Sequence, residues 1–474
     1  MSKYIKSAVL LILAAVPIIV VLMLAYGNDM TSDFETTDYY SETDNSNTHE
    51  IGYDSAEEIF DYSQVTTLSL GGLFFSNSVR VEVERFNSEN VYYQIELSVF
   101  NAAIDPYTGA LEVDYEVMRE QNFDMIFGDF EAFSVYSFTP VDLYTFIDAD
   151  IKLTREDFFP NAIMSLEAPD GTLPFITYGF IIETMISMGN VSEQVGSMTF
   201  ENVFSALNNP SEPSFANFGL SYNFIINRAL LTSGNNFVDL ENRQANFNNV
   251  HFISALEIAA NPSGIDSSLF GILSVLEAEW ERFRRGDALF SQFWISHPEH
   301  LRRYQAILGD VAAVGIPTTT GGAHLIVPNR GIGINANSLH QEIAWSFARR
   351  FLLPTHNDGR SYAFLPMRID LFDAHISELI TPNIYNGVEL PQELLWHGPR
   401  TPLHPIPLLI YAMTEDEAAE IRGIVESAKP ALNIYRVIYT MIREEVSLFM
   451  ANILSAEETA IIIQKRVQEL LDTW

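Results

Sequence analysis

The hydrophobic pattern of this chain opens with an uninterrupted apolar run near the N-terminus. Ala8–Tyr26 contains no charged side chain, and Lys3 and Lys6 precede it. Its length approaches the roughly 20 residues that a helix needs to cross a bilayer core, and the lysines favour a cytoplasmic N-terminus. We expect residues 1–28 to be a membrane anchor or an export signal. A signal peptide has a shorter apolar core of about 7 to 15 residues, yet Ala25-Tyr26-Gly27 offers small residues for cleavage, so both interpretations stay open.

A polar segment follows the apolar run. Residues 29–64 are rich in Asp, Glu, Ser and Thr and poor in aliphatic side chains. Such a composition cannot bury enough apolar surface to fold alone. The pattern therefore predicts a disordered acidic linker between the N-terminal segment and the remainder of the chain.

From residue 65 the pattern alternates between strand and helix. Apolar alternation predicts strands at 66–70, 93–99 and 123–127, and helical spacing predicts helices at 77–87 and 114–121. This alternation indicates an α/β fold class with a parallel sheet and right-handed crossovers. Beyond about residue 180 the pattern becomes mainly helical. The predicted helical blocks are 200–207, 222–231, 250–260, 267–285, 340–352, 415–428, 431–450 and 455–473.

Composition narrows the classes of function. The 474 residues include 62 acidic and 26 basic side chains, a net charge of −36, which disfavours binding to a polyphosphate such as nucleic acid. The chain has no cysteine, which excludes disulfides, thiolate metal sites, cysteine nucleophiles and a lipidated cysteine anchor. Hydrophobic residues make up 47% of the chain, enough for a large core, and a body of this length suggests two lobes.

Motifs for catalysis are missing from the sequence. It has no GxSxG, HExxH or P-loop pattern. His297 and His300 have a spacing that two metal ligands could use, but Pro298 and the lack of a third nearby ligand favour an ordinary helix start. We therefore expect a protein that is not an enzyme and that binds neither a metal nor a cofactor.

Short motifs spread over residues 65–474 resemble one protein family. They are Val83–Asn87 with Tyr93–Ile95, Asn122–Ile126, Asp142–Asp148, Asp170–Leu173, Phe237–Asp239 with Ala245–Asn248, Gly286–Leu289, Gly315–Pro317, Ile332–Ser338 and Ser455–Val467. Their order is similar to that in the extracellular solute-binding proteins of ABC transporters, family 1, the carbohydrate type. Phe123 departs from the pattern, because the family has a proline there.

The resemblance implies a two-lobe, periplasmic-binding-protein-like fold of type II. Lobe 1 would comprise 65–177 with a return segment, 323–380, and lobe 2 would comprise 178–322 with the C-terminal helices in 381–474. It also implies a ligand cleft that closes by hinge motion, and a closed form that a permease recognises.

Candidate ligand-binding residues lie where predicted strands end, since ligands of open α/β sheets bind beyond the carboxyl ends of strands. The candidates are Phe74, Phe75, Asp129, Phe130, Tyr178, Trp294 and Arg368. The resemblance implies a stacking aromatic near Trp294 and a loop that reaches the cleft at Arg368. Packing beneath the loop is the alternative for the two phenylalanines, and a core or rim position is the alternative for Trp294. Trp345, by contrast, has helical spacing to apolar residues and is predicted to be core.

The expected function is capture of a small solute, taken to be a carbohydrate, for delivery to an ABC importer. The expected partners are the solute and permease subunits in the membrane, and we expect a monomer on the extracellular face, anchored or secreted. Two alternatives stay open: a surface protein of the same fold used for sensing or adhesion, and an exported glycoside-active enzyme.

Overall fold

A computed structural model describes most of the chain beyond the N-terminal segment. The described residues are 65–73, 75–99, 102–104, 111–113, 122–128, 139–168, 170–189, 195–207, 222–260, 283, 289–353, 364–396, 406–431 and 433–473. The predicted anchor and linker lie outside them. Among the described residues we find no helix with both the length and the apolar character that crossing a membrane requires.

Strands and helices are numbered here in chain order. The strands are Thr66–Gly72 (β1), Tyr93–Val99 (β2), Ala102–Ile104 (β3), Leu111–Val113 (β4), Met125–Gly128 (β5), Gly179–Met188 (β6), Val238–Asp239 (β7), Gln244–Ala245 (β8), Phe290–Ile295 (β9), Val311–Ala313 (β10), Ile316–Pro317 (β11), Gly322–Ala323 (β12), Leu325–Pro328 (β13), Gly331–Ile334 (β14), Leu365–Pro366 (β15), Asn383–Tyr385 (β16), Val388–Leu390 (β17), Gln392–Trp396 (β18), Ile406–Ile410 (β19) and Lys429–Pro430 (β20). The helices are Asn77–Glu89 (α1), Tyr144–Ala149 (α2), Pro160–Met164 (α3), Phe200–Leu207 (α4), Tyr222–Phe237 (α5), Val250–Ala260 (α6), His300–Leu308 (α7), Gln341–Ala348 (α8), Ile369–Ile380 (α9), Glu415–Ser427 (α10), Asn433–Met450 (α11) and Ala456–Leu471 (α12).

The chain divides into two compact units. The first comprises residues up to Gly128 with 132–139 and Ile334–Phe347, and the second comprises the remainder. The sequence placed 140–177, 323–333 and 348–380 with lobe 1, whereas contacts group them with the second unit. Hydrogen bonds explain the grouping of 140–177: the Phe159 N–H donates to the Met367 carbonyl, and the Asn161 amide donates to the Val425 carbonyl at 2.7 Å.

The first unit contains a sheet of strand order β14-β5-β1-β2, and the chain passes from the second unit into the first within β14. β1 pairs in parallel with both β2 and β5, as the alternation of strand and helix predicted. α1 buries Val79, Val83 and Phe86, and the Phe86 ring meets Phe347 edge to face at 5.5 Å between centroids.

Asp124 joins three parts of the first unit. Its Oδ2 accepts from the backbone N–H of Ser69 at 2.9 Å and from the Ser69 hydroxyl at 3.0 Å, and its Oδ1 accepts from the Ser338 hydroxyl at 2.6 Å. The carboxylate therefore ties β1 to the loop after β14. This motif residue has a structural role within its own unit.

The second unit is built on β6, a ten-residue strand. β13 and β10 pair with it on one side, β15 and β9 pair with it on the other, and β20 extends the sheet beyond β13. Gly179 opens the strand because a side chain there would come within 2.8 Å of the Leu365 carbonyl oxygen.

A helical layer covers one face of this sheet. Met185 and Leu325 of the sheet belong to one buried cluster with apolar residues from α4, α5, α6, α11 and α12. α12 is tied to the β8 region by Gln464, whose Oε1 accepts from the Phe247 N–H and whose Nε2 donates to the Ala245 carbonyl, each at 2.5 Å. On the other face Phe159 packs edge to face against Phe180 and Phe372.

Most predicted elements with a clear period are confirmed. The structure contains the predicted strands that begin near residues 66, 93 and 123, the helix that begins at 77 and the helical blocks at 200–207, 250–260 and 415–428. Trp345, predicted to be core, is buried with 5% exposure. The predicted helix at 114–121 lies outside the described residues, and so does the one at 267–285 apart from Phe283, which is helical and buried.

The prediction of a mainly helical pattern beyond residue 180 is wrong at β6. Most residues of this strand are buried, since sheet partners lie on both sides and packed layers on both faces. Such a strand is a nearly continuous apolar run whose period does not separate strand from helix. α9 also has no counterpart among the predicted helices.

Candidate functional site

Trp294 is an exposed aromatic side chain near the end of β9, a strand of the large sheet in the second unit. Exposure alternates along β9: Phe293 and Ile295 are buried, and Trp294 between them is 51% exposed. Phe293 is fixed on the opposite face by an edge-to-face contact with Tyr304, 4.6 Å between centroids. The alternation follows from the two-residue period of a strand, and it presents the indole to solvent from a rigid element.

An ion pair with a buried carboxylate supports the indole. Glu183 lies directly opposite Trp294 in the register of β6 and β9 and is 4% exposed. Its Oε1 accepts from the Trp294 indole N–H at 3.2 Å and from Arg228 Nη2 at 2.6 Å, and its Oε2 accepts from Arg228 Nε. The two contacts from Arg228 form a bidentate pair, which fixes geometry as well as charge. The carboxylate thus anchors both the guanidinium of α5 and the ring of Trp294.

The turn after Trp294 is held by histidines. His300, the first residue of α7, places Nδ1 3.3 Å from the Trp294 carbonyl oxygen and 3.4 Å from the Ser296 backbone nitrogen. The His297 ring lies 5.0 Å from that of His300 and 6.2 Å from that of His375 on α9. Burial lowers the pKa of His297 and of His300 to about 3, so both are neutral at pH 7. The predicted helix start at this sequence is confirmed.

Tyr178 lies at the beginning of β6, away from Trp294. Its hydroxyl accepts from the Asn329 amide at 3.0 Å, and its ring stacks on Phe351 and meets Phe364 edge to face. Tyr178 lies five positions before Glu183, about 16 Å along an extended backbone. Tyr178 and Trp294 therefore belong to two separate aromatic surfaces, one just before β6 and one on its neighbour β9.

Two further candidates have partners inside their own units. Phe75 is 5% exposed and packs on Phe127 at 5.9 Å between centroids. Arg368 is 8% exposed, donates to both carboxylate oxygens of Asp370 at 2.9 and 2.6 Å, and donates to the Leu352 carbonyl at 3.2 Å. Arg368 is in the same unit as Trp294, but its hydrogen bonds go to Asp370 and Leu352 and not to the group around Trp294.

The remaining candidates are Phe74, Asp129 and Phe130. All three lie outside the described residues. Ligand contact by them stays a prediction from strand ends.

Sequence reasoning missed Glu183 and Arg228. A usable signal was present: Glu183 is the single charged residue of β6, and Arg228 interrupts the apolar run of α5. A charge in a buried run needs a partner of opposite sign, because an unpaired buried charge is very costly. Pairing these two lone charges would have placed α5 against the strand that carries Glu183.

The group around Trp294 suits recognition of a neutral polar ligand. An exposed indole offers a flat apolar face beside hydrogen-bonding groups, the combination that ligand sites use to bind and orient small molecules. The Glu183 carboxylate accepts from Arg228 and from Trp294, which holds the indole in place. Among the described residues, no cluster of three or more His, Asp or Glu side chains could hold a metal ion.

The fold is mixed α/β with two lobes and matches that of solved ABC solute-binding proteins, which confirms the fold class that the resemblance implied. No model of a protein family matches the sequence, and no curated protein matches it.

Three solved structures illustrate the likeness. The sugar-binding protein MalE from Xanthomonas citri is 14% identical with a TM-score of 0.54, over 86% of this chain and 98% of that one. The ABC substrate-binding protein Lmo0181 from Listeria monocytogenes, in complex with cycloalternan, is 12% identical with a TM-score of 0.52, over 86% and 99%. The cyclic α-maltosyl-1,6-maltose-binding protein from Arthrobacter globiformis is 13% identical with a TM-score of 0.52, over 86% and 100%.

Proposed function

We propose that this protein captures a carbohydrate and delivers it to an ABC importer. The observation that carries the proposal is the exposed indole of Trp294, fixed on a sheet strand by the buried pair of Glu183 and Arg228. It occurs in a chain whose fold is that of proteins described as binding sugars, cycloalternan and a cyclic maltosyl-maltose. The protein acts as a binder without covalent chemistry.

The physical role of Trp294 follows from its surroundings. The face of a pyranose ring carries C–H groups that pack on a flat aromatic surface, while the ring edge carries hydroxyls that need polar partners. Because the indole N–H is held by Glu183, the ring keeps one orientation before ligand arrives. Such pre-organisation reduces the entropic cost of binding.

Placement and partners belong to the same proposal. The apolar run Ala8–Tyr26 supports a location of the body on the extracytoplasmic side, either tethered to the membrane or released. There the protein works as a monomer that docks on permease subunits. A tether made of an apolar helix would replace the lipid that a cysteine carries in other exported proteins.

A thermal-shift panel tests the proposal. We expect the unfolding temperature of the full-length protein to rise with α-linked glucose oligosaccharides, linear and cyclic, because a ligand that binds only the folded state stabilises it. At a free concentration one hundred times Kd the gain is about 2.7 kcal/mol. Product analysis after prolonged incubation should recover the sugar intact. Stabilisation by peptides or polyamines and by no sugar would contradict the carbohydrate assignment, and cleavage of the sugar would contradict the binding role.

A further inference from the structure

The hairpin of β16 and β17 in the second unit is an apolar surface that the proposed function does not use. Its strands pair in antiparallel register, Tyr385 with Val388 and Asn383 with Leu390, and form a two-stranded sheet of their own. Asn386 and Gly387 form the tip, with φ of 51° and 78°. Two residues with positive φ are the mark of a tight hairpin turn, so the tip is narrow.

Both faces of this hairpin expose apolar side chains. Tyr385 and Val388, which share one face, are 65% and 63% exposed, and Ile384 on the opposite face is 61% exposed. Residues 381–388 contain no charged side chain, in a chain whose net charge is −36. The nearest charge, Glu389, lies behind the tip and accepts from the Ala412 backbone N–H at 3.0 Å. Contiguous exposed apolar surface of this kind marks an interaction site.

We propose that this hairpin tip inserts into the headgroup region of a lipid bilayer. A protein partner would cover one face of a two-stranded hairpin, whereas a lipid surface surrounds an inserted tip and covers both. Tyrosine is favoured at the membrane interface, where its ring is in contact with apolar material and its hydroxyl with water. The outer backbone groups of a two-stranded hairpin need water or headgroups as partners, so insertion stops short of the hydrocarbon core.

The sequence places a bilayer within reach of the tip. Ala8–Tyr26 is long enough to approach a full membrane crossing, and the polar segment 29–64 connects it to the first strand. The composition of residues 29–64 predicts a linker, and a random coil of that length has a root-mean-square end-to-end distance of roughly 30–35 Å. A linker of this reach would keep the body close enough to the membrane for a second, weak contact to form. The negative net charge opposes approach to anionic lipid, so the occupant is a zwitterionic surface.

The absence of cysteine from the sequence makes a direct test possible. Val388→Cys in the full-length protein carries a polarity-sensitive NBD label, and the protein is reconstituted in phosphatidylcholine vesicles. We expect the NBD emission to shift to shorter wavelength, to gain intensity several-fold and to be quenched by lipids spin-labelled near the headgroup. The matched control is Ile151→Cys in the same unit, where the native side chain is 92% exposed. An NBD label at this position should show the emission typical of an aqueous environment.

A second variant separates insertion from other causes. Adding Ile384→Ser and Tyr385→Ser to the labelled protein should abolish the shift and leave the circular dichroism spectrum unchanged, because exposed side chains contribute little to stability. The proposal fails if the label at residue 388 has the same aqueous emission as the control label, or if the protein does not associate with the vesicles. It also fails if the shift appears without vesicles and grows with protein concentration, since the tip would then bind a second copy of the chain.

Discussion

Replacing Arg228 by methionine should lower the free energy of unfolding of this protein by about 3–5 kcal/mol, because it leaves a buried carboxylate without its partner. Glu183 is 4% exposed and takes both of its charged hydrogen bonds from Arg228. Methionine preserves much of the volume of the arginine stem, so lost packing contributes little. Urea denaturation followed by circular dichroism measures the change.

The double variant Glu183→Gln with Arg228→Met is the control. It removes both charges, and we expect it to recover most of the lost stability, since replacing a whole buried pair by neutral groups is often close to neutral. A single variant that loses less than about 1 kcal/mol, or a double variant as unstable as the single, would show that the ion pair does not organise this part of the sheet.

Acid should destabilise the protein well before its carboxylates become protonated. Burial lowers the pKa of His297 and His300 to about 3 and of His324 to about 4, and it also lowers the pKa of His375. In the unfolded chain these histidines titrate near 6.5. Below that pH the unfolded state therefore binds protons that the folded state does not, and the free energy of unfolding falls as the pH decreases.

The expected loss between pH 7 and pH 5 is about 2 kcal/mol for each histidine that stays neutral in the folded state, or about 5–6 kcal/mol for His297, His300 and His324 together. Each histidine can lower the free energy of unfolding by at most about 1.4 kcal/mol per pH unit. The loss continues until the folded state itself takes up the protons near pH 3 to 4. Urea midpoints measured at half-unit steps of pH give the slope. His300→Gln with His375→Gln should make the slope shallower, since glutamine does not titrate. A stability that stays constant from pH 7 to pH 5 would contradict the burial of these rings.

The sequence predicted the first unit better than the second for a physical reason. Thr66–Gly72 and Asn77–Glu89 each bury one face, so their periods of 2 and 3.6 are visible along the chain. Gly179–Met188 has packed layers on both faces, which removes the period. The hairpin Asn383–Leu390 is exposed on both faces and has no period either, although its Asn-Gly turn is a strong local signal.

The candidate site was predictable only in part. Trp294 could be predicted as a ligand-binding residue because it is a rare residue type at the end of a predicted strand. Its supports, Glu183 and Arg228, lie 45 residues apart in sequence and meet through tertiary packing, which no local pattern records. Phe75 and Arg368 satisfied the same strand-end criterion, yet the structure gives both of them internal partners. A strand end thus locates a region, and burial decides which of its side chains are available.

We expect the exposed indole of Trp294 to bind the carbohydrate directly. Isothermal titration of the full-length protein with the oligosaccharide that gives the largest thermal shift tests this contact most directly. Trp294→Ala is measured beside a control, Tyr411→Ala, because Tyr411 is an aromatic residue of similar exposure, 55%. We expect saturable binding with one site per chain, a loss of about 2 kcal/mol or roughly thirty-fold in Kd for Trp294→Ala, and no change for Tyr411→Ala. An unchanged Kd for Trp294→Ala would remove this residue from the site, and the absence of binding to every sugar in the panel would contradict the proposed function.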